Sequence, residues 1–191
     1  MGQSQPLDGD YKEKFMELAF LQYLQTLRTP FLDSFFITLT DIIGPYGLIV
    51  LIPSLILTAF AKTRKCGILI LGSFLLAALL GAGIKQLLVR PRPFMADNTI
   101  QLIIDMPKGF SCPSNHTALA FAAATAIYFF KRSWGTIAFA IALVVGFSRL
   151  YLFVHYPSDV LLGAALGLVS AYTIKAKFTK QLALNEEKNC I

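Results

Sequence analysis

The sequence predicts an all-α fold, a polytopic membrane bundle of about six transmembrane helices preceded by an N-terminal interfacial helix. Hydrophobic residues make up 55% of the 191-residue chain and charged residues only 15%, whereas a soluble domain carries about 25% charged residues. The mean hydropathy is +0.62, and the apolar residues cluster into long runs that are typical of membrane helices. We therefore expect one membrane domain whose helices pack against one another inside lipid.

Residues 1–29 are predicted to form a polar tail followed by an amphipathic interfacial helix. Between residues 11 and 28, apolar side chains from Phe15 to Leu27 recur with a roughly helical period, and polar side chains such as Glu17 occupy the other positions. This pattern is typical of a helix that lies in the membrane interface. No clean apolar segment follows the charged residues at the start, so no cleavable signal peptide is predicted.

Six apolar runs follow, with a break at Gly44–Gly47 between the first two. Several runs are shorter than the ~20 residues that span a bilayer, so they must borrow flanking residues or lie where the bilayer is thin. We assign residues 30–176 to the transmembrane domain and residues 177–191 to a cytoplasmic tail. The runs cover residues 31–43, 46–60, 66–89, 117–132, 134–151 and 158–174.

Basic residues indicate the orientation of the bundle, because positively charged loops face the cytoplasm. Each apolar run carries the chain across the membrane once, so loops separated by an even number of runs lie on the same side. This places three basic clusters on one side: Lys62, Arg64 and Lys65; Lys131 and Arg132; Lys175, Lys177 and Lys180. We therefore expect a multi-pass protein of the cell (cytoplasmic) membrane with both termini cytoplasmic. The gaps 90–116 and 148–157 then lie on the extracytoplasmic face.

These clusters also account for the net charge of +6. No basic stripe with interleaved aromatic residues indicates nucleic-acid binding, so we expect the lipid bilayer and no nucleic acid as partner. The three cysteines, Cys66, Cys112 and Cys190, are odd in number and match no disulfide framework. No disulfide is predicted.

Two cations near the first extracytoplasmic gap can converge on one anion. Lys85 lies inside the third apolar run, where a lysine at mid-membrane costs ~2.5–3.5 kcal/mol, so it should face a cavity or snorkel to the interface. Pro91 and Pro93 stop the helix and hold Arg92 on extended backbone. Lys85 is seven residues earlier, two turns deeper on nearly the same face. A planar arginine fork beside a lysine point charge suits phosphate.

The residues before the fourth run are suited to start a helix, because Ser114 is a good N-cap and Pro113 a stop signal. On the functional interpretation, free N–H groups at this helix end bind an oxyanion, and His116 donates a proton beside them. The alternative is a capped helix start with His116 as an interfacial side chain.

Arg149 ends the fifth run, and His155 and Asp159 lie on either side of Pro157, which suits the first position of the sixth helix. Asp159 then lies within reach of His155. A carboxylate bonded to one imidazole nitrogen leaves the other nitrogen free as a nucleophile or base. The alternative is that Asp159 only complements the helix dipole and that His155 is an ordinary surface side chain.

Together these segments place cations, N–H donors and the only two histidines of the chain on one face, which describes a phosphoryl-transfer pocket. Two other interpretations stay open. One is a zinc site with acceptable ligand types but with nearby cations that would repel the metal: Cys112, His116, His155 and Asp159. The other is a non-catalytic transporter or channel in which three cations line an anion path: Lys85, Arg92 and Arg149.

Three motifs resemble those of the type 2 phosphatidic acid phosphatase superfamily. Lys85–Pro93 resembles its K-x6-R-P motif, Pro113–His116 its P-S-G-H motif, and Ser148–Asp159 its S-R-x5-H-x3-D motif at every fixed position. The motifs occur in family order over the central and C-terminal parts of the chain. The superfamily also includes soluble acid phosphatases and vanadium haloperoxidases, and the hydrophobicity of this chain argues against both.

The resemblance implies a membrane lipid phosphatase that works without a metal or other cofactor, through a phosphohistidine. It implies that His155 is the nucleophile, that Asp159 orients it, and that His116 protonates the leaving oxygen and then activates water. It also implies a set of residues that hold the phosphate oxygens: Lys85, Arg92, Ser114, Asn115 and Arg149. The transmembrane domain is then the phosphatase domain.

Asn115 stands where the family has glycine. Glycine lets the backbone approach phosphate closely, whereas asparagine tolerates unusual backbone angles and can donate a side-chain N–H. We expect function to survive and substrate choice to be affected. Small bacterial members of the family act on undecaprenyl diphosphate, phosphatidylglycerophosphate or phosphatidate, and the non-glycine motif favours undecaprenyl diphosphate. Hydrolysis and transfer of the phosphoryl group to another lipid both fit.

Two further features carry no assigned role. The apolar residues of the loop 94–110 are expected to dip into the interface near the lipid tail, unless this loop is a partly ordered surface segment. Asp33 and Asp41 lie in the first apolar run, where they fit helix-packing or interfacial groups. Asp41 can also reach the rim of the pocket.

Overall fold

Eight helices make up the part of the chain that the computed structural model describes, residues 9–44 and 47–189. Those residues contain no β-strand, and the predicted all-α fold is confirmed. The last helix continues without a break through the expected boundary at residue 176. The helices are α1 (Gly9–Thr26), α2 (Pro30–Ile43), α3 (Leu48–Ala59), α4 (Arg64–Leu88), α5 (Pro93–Ala96), α6 (Asn115–Phe130), α7 (Arg132–Tyr151) and α8 (Pro157–Asn189).

The predicted interfacial helix is α1, and the six predicted runs correspond to α2, α3, α4, α6, α7 and α8. Four stretches of the described chain are long and apolar enough to cross a membrane: Pro30–Ala59, Arg64–Ala96, Arg132–Tyr151 and Pro157–Lys180. The 16-residue α6 packs among them. The first stretch contains both α2 and α3, with 14 and 12 residues, and neither helix is long enough to cross alone. The first two predicted runs therefore fall within one stretch that is long and apolar enough to cross.

One end of the bundle is basic. Leu57, Cys66 and Ile127 pack around a single buried cluster there, and Lys175 Nζ lies 4.0 Å from the centre of the Phe129 ring. The loops that carry the three basic clusters are therefore at the same end, in agreement with the prediction that they share one side. We call this the basic end.

The segments 90–116 and 148–157 meet at the opposite end, which we call the pocket end. Helix α1 lies along the pocket end, because Gln22 donates a hydrogen bond into the first segment and Gln25 donates to the Tyr151 carbonyl oxygen at 3.0 Å. Helix α8 runs from the pocket end to the basic end. The prediction that both termini are cytoplasmic concerns residues 1–8 and 190–191, which lie outside the described part of the chain, and it stays a prediction.

An apolar face of α1 packs against the bundle. Leu21 and Leu24 are buried in a cluster with Phe36 and Tyr151, whereas Phe15 on the outer face is 72% exposed. A buried apolar face with aromatic side chains outside it suits a helix at the membrane interface.

The loop after α5 also packs on this cluster. Its apolar residues were expected to dip into the membrane interface, but Ile100, Leu102, Ile103 and Ile104 lie against the buried core at the pocket end. Burial of these side chains against protein removes apolar surface from water, and it ties the loop to α1 and α2.

Close packing of α6 against α8 sets the distance between the two histidine-bearing segments. Gly163 and Gly167 of α8 are four residues apart, a spacing of small residues that lets membrane helices approach closely. A methyl group added at Gly163 would lie 2.6 Å from the Ser114 carbonyl oxygen, and one at Gly167 would meet the Ala118 carbonyl oxygen. The Ser114 N–H also donates to the Asp159 carbonyl oxygen at 3.0 Å. The start of α6 is therefore fixed against the start of α8.

Candidate active site

A cavity of about 630 Å³ opens at the pocket end. Four residues predicted for the site line it: Arg92, His116, Arg149 and His155. Helix α2 contributes Thr40 and Asp41, and the loop after α5 contributes residues 103–107. Three separate predicted motifs therefore meet at one cavity.

His155 reaches the cavity through a sharp turn out of α7. Phe153 has φ of +59°, a left-handed conformation that is rare for a bulky residue. Its side chain is 1% exposed in the core cluster, and the Phe153 N–H donates to the Leu150 carbonyl oxygen at 3.0 Å. The turn is thus held by packing and hydrogen bonding, and it presents the buried imidazole of His155 to the cavity.

The imidazole of His155 is 3% exposed and lies beside Asp159. Its Nδ1 is 3.6 Å from Asp159 Oδ2 and has no closer hydrogen-bond partner. The same oxygen accepts a hydrogen bond from the Tyr156 N–H at 2.9 Å, which fixes the carboxylate. Burial, together with the nearby charge of Arg92, lowers the pKa of His155 to about 4 against the opposing effect of Asp159. The ring is therefore neutral at pH 7.

Arg92 is held beside the other ring nitrogen of His155. Its guanidinium donates to the carbonyl oxygens of Gly109 at 2.9 Å, Val154 at 3.1 Å and Lys108 at 3.3 Å. Its Nη1 lies 3.4 Å from His155 Nε2. Because three backbone carbonyls fix this planar group, its positive charge stands preorganised for an anion next to Nε2.

Arg149 supplies a second buried cation from the last turn of α7 and is 2% exposed. Its Nε donates to Ser148 Oγ at 3.0 Å, and its Nη2 donates to Thr40 Oγ1. Thr40 was not singled out in the sequence, because it is 109 residues from Arg149 along the chain. The contact attaches α2 to the cation site.

His116 is the second residue of α6 and lines the cavity from the side of that helix start. Ser114 occupies the predicted N-cap position, but its side chain makes no capping hydrogen bond. Its Oγ instead accepts a hydrogen bond from Thr117 Oγ1 at 2.9 Å, and it does not line the cavity. The structure thus brings His116 to the cavity and leaves Ser114 behind it.

Lys85 also lies behind the cavity wall. Its Nζ donates to the carbonyl oxygens of Phe110 at 2.7 Å and Ser111 at 3.1 Å. These bonds secure the segment that leads back to α6. They use two of the three ammonium hydrogens, and the role of Lys85 in binding phosphate stays a prediction.

Asn115 faces a second, apolar cavity instead of the polar one. Its Oδ1 is buried without a hydrogen-bond partner and lies against Gly81, where an added Cβ would be 2.7 Å from it. The absence of a side chain at Gly81 is what accommodates the amide that replaces the family's glycine.

The two aspartates of α2 have different surroundings. Asp33 pairs with Arg28 at 3.1 Å and accepts a hydrogen bond from Tyr151 Oη at 2.6 Å, so it joins α2 to α7 as a packing group. Asp41 lies in the wall of the polar cavity. This agrees with the interpretation that it reaches the rim of the pocket.

No group of three or more histidine, cysteine or acidic side chains in the described residues is placed to hold a metal ion. The zinc arrangement through Cys112 and both histidines is therefore not formed. Burial raises the pKa of the Cys112 thiol to about 11, and the nearby Asp159 carboxylate acts in the same direction. This thiol is therefore protonated at neutral pH.

These features define an integral membrane protein with a cation-lined cavity that two histidines also line. Residues 67–182 match the family model described as the PAP2 superfamily. The chain belongs to the PAP2 superfamily, and the resemblance drawn from its three motifs is confirmed.

Two curated relatives show what the chain is similar to. It is 36% identical over 113 residues to an undecaprenyl-diphosphatase of Sulfolobus acidocaldarius, a match that covers 59% of this chain and 55% of that protein. It is 33% identical over 137 residues to the bacitracin transport permease protein BcrC of Bacillus licheniformis, a match that covers 69% of this chain and 68% of that protein. The match thus spans about half the length of the first relative.

Two solved structures share the fold. A PAP2-type phosphatidylglycerolphosphate phosphatase from Bacillus subtilis superposes with a TM-score of 0.75 at 27% identity, covering 88% of this chain and 87% of that chain. Aquifex aeolicus LpxE superposes with a TM-score of 0.73 at 27% identity, covering 83% of this chain and 94% of that chain.

Proposed function

We propose that this protein is a membrane lipid phosphatase that hydrolyses the terminal phosphate of undecaprenyl diphosphate through a phosphohistidine on His155. The observation that carries the proposal is the neutral, buried imidazole of His155, whose Nε2 lies 3.4 Å from Arg92 Nη1 in a cavity shared with His116. A phosphate drawn to the arginine is next to the nucleophilic nitrogen.

A lipid substrate is supported by the apolar cavity, of about 300 Å³, that adjoins the polar one. His116 lines both cavities. The walls of the apolar cavity are aliphatic and aromatic side chains such as Ile43, Phe74 and Leu119. An alkyl chain in this cavity and a phosphate in the polar cavity would meet at His116, where the leaving oxygen of a phospholipid joins the two parts.

In the first step the lone pair of His155 Nε2 attacks phosphorus, and the bond from phosphorus to the leaving oxygen breaks. Asp159 stabilises the positive charge that develops on the imidazole. Arg92 and Arg149 stabilise the charge on the phosphoryl oxygens, and His116 gives a proton to the leaving oxygen.

In the second step a water molecule attacks the phosphorus of the phosphohistidine. His116 takes a proton from that water, and the nitrogen–phosphorus bond breaks so that its electron pair returns to His155 Nε2. Inorganic phosphate leaves and both histidines regain their starting states. No step needs a metal or another cofactor.

The choice of undecaprenyl diphosphate rests on the relatives. One curated relative is named an undecaprenyl-diphosphatase, and Asn115 replaces the glycine of the second motif. The pocket end then faces the extracytoplasmic side of the cell membrane, because the basic end carries the lysine clusters that mark the cytoplasmic side.

Two alternatives have an observation in their favour. Phosphatidylglycerophosphate or phosphatidate as substrate is supported by the structural likeness to a phosphatidylglycerolphosphate phosphatase. Transport without catalysis is suggested by one relative, which is named a bacitracin transport permease protein. Transfer of the phosphoryl group to another lipid follows the same first step and differs only in the acceptor.

The test is phosphate release by the purified protein in detergent with a chelator present, from undecaprenyl diphosphate, phosphatidylglycerophosphate and phosphatidate in parallel. We expect the fastest release from undecaprenyl diphosphate and none from the His155→Ala protein. Faster release from another lipid would mean that this other lipid is the preferred substrate. Loss of activity in chelator would contradict the metal-free mechanism. Release that persists in His155→Ala, or no release from any lipid, would contradict the phosphohistidine proposal.

A further inference from the structure

Arg90 is a cation at the pocket end that none of the steps above uses. Its Nη1 donates to Asp159 Oδ1 at 2.7 Å and to Ser158 Oγ at 2.6 Å. Its guanidinium carbon lies 4.1 Å from the centre of the Tyr156 ring. Arg90 does not line the polar cavity, so its contacts are with the residues that surround His155 and not with a substrate.

Glu17 of α1 completes this arrangement. One of its oxygens accepts a hydrogen bond from Arg90 Nη2, and the other accepts one from the Ser158 N–H at 2.7 Å. Ser158 is in the first turn of α8, where N–H groups lack partners within the helix and where a negative charge is favourable. Glu17 therefore fixes both Arg90 and the helix start that carries Asp159.

The two oxygens of Asp159 have separate partners. Oδ1 is bound by Arg90, while Oδ2 accepts the Tyr156 N–H at 2.9 Å and faces His155 Nδ1 at 3.6 Å. The Asp159 side chain is 0% exposed, and a buried carboxylate that loses a charged partner is strongly destabilised. Removal of Arg90 would leave the carboxylate free to turn away from His155 in search of another donor.

We infer that Glu17 and Arg90 are positioning residues that hold Asp159 in the orientation that supports His155, so that helix α1 is part of the catalytic assembly. This inference rests on the proposed function, because it assigns the network an effect on the nucleophile. Neither side chain contacts the cavity, so each acts through Asp159.

The direct test measures kcat and KM for Arg90→Gln, Glu17→Gln and the conservative Arg90→Lys. At metal sites, loss of the partner that orients a ligand costs roughly 10–100-fold in activity, and we expect kcat to fall by a similar factor in Arg90→Gln, where the oriented group is Asp159. The fall should be smaller in Glu17→Gln, and Arg90→Lys should recover part of the loss. KM should stay within about twofold, because substrate binding is not touched.

The matched control is Asp33→Asn. It also removes a partly buried ion pair near α1, with side-chain exposures of 22% and 24% against 18% and 13% for the Arg90–Glu17 pair. It does not touch Asp159. We expect a comparable fall in melting temperature and an unchanged kcat. A kcat in Asp33→Asn as low as that of Glu17→Gln would mean that loosening the pocket end is enough, and it would overturn the inference.

Repeating the substitutions in an Asp159→Asn background separates positioning from general damage. If Arg90 and Glu17 act through Asp159, their effects on kcat should vanish there, because groups that act as a unit are not additive. Effects that multiply in full with that of Asp159→Asn would overturn the inference. Full activity of Asp159→Asn itself would instead count against the proposed function, so the two failures are distinguishable.

Discussion

Substitution of Gly163 by alanine tests whether the α6–α8 contact sets the geometry of the site. The added methyl group would lie 2.6 Å from the Ser114 carbonyl oxygen, whereas ordinary contact begins at 3.4 Å. The helices must therefore separate by 3.4 minus 2.6, or about 0.8 Å, and backbone cannot swing aside as a side chain can. A misplacement of about 1 Å can cost about 10²-fold in rate. His116 is two residues from Ser114, so we expect a loss in kcat of roughly 10- to 100-fold.

The assay compares kcat for phosphate release and the melting temperature in detergent for Gly163→Ala and Gly83→Ala. The control adds the same methyl group to a membrane helix, at a place where nothing lies within 4 Å, and it should leave kcat unchanged and not lower the melting temperature. Overpacking typically costs about 1–3 kcal/mol, so Gly163→Ala should also melt earlier. A kcat within about twofold of the control would refute the reasoning that this contact positions the histidines.

Three further predictions follow from single residues. The pKa of His155 lies at about 4 in the folded protein, below its ordinary 6.5. Between pH 4 and pH 6.5 the unfolded chain therefore binds a proton at this residue that the folded protein does not bind. The melting temperature should therefore fall as the pH is lowered from 6.5 to 4. A loss of kcat/KM in acid with its midpoint near pH 6.5 would show an imidazole with an ordinary pKa, and it would contradict a buried ring that is neutral at that pH. Arg92→Lys should lower kcat by about 10²–10³-fold, since an ammonium cannot keep three carbonyl bonds and the fork toward phosphate; near-normal turnover would count against this role. Cys112, buried with a thiol pKa of about 11, should resist alkylation at pH 7.5 until the protein is denatured, as mass spectrometry can show.

Much of the fold could be predicted because it depends on local patterns. Long apolar runs specify helices in a membrane wherever they occur, and each of the six runs is a helix. The break at Gly44–Gly47 is ambiguous in the sequence, because a pair of glycines favours a reversal of the chain as readily as an interruption of one crossing. In the structure α1 lies at the pocket end and α3 reaches the basic end, and α2 and α3 fall within one stretch that is long and apolar enough to cross.

In the candidate site, too, local relations could be predicted from the sequence and long-range contacts could not. His155 and Asp159 are four residues apart, so their proximity is a local property of a helix start. Glu17 and Ser158, by contrast, are 141 residues apart, and no local pattern connects them. Lys85 donates to two backbone carbonyls of the loop, and these contacts could not be predicted because a sequence does not show which backbone carbonyls a side chain will meet.

The most direct test of the central claim is to trap the covalent intermediate. Enzyme mixed with undecaprenyl diphosphate carrying a radiolabelled terminal phosphate is quenched within milliseconds and mapped by proteolysis. We predict an acid-labile, alkali-stable label on the peptide that contains His155, and none in His155→Ala. In His116→Ala the label should accumulate, because a lipid phosphate is a good leaving group while the attacking water still needs a base. A label on another residue, or none in His116→Ala while phosphate is still released, would contradict the phosphohistidine mechanism.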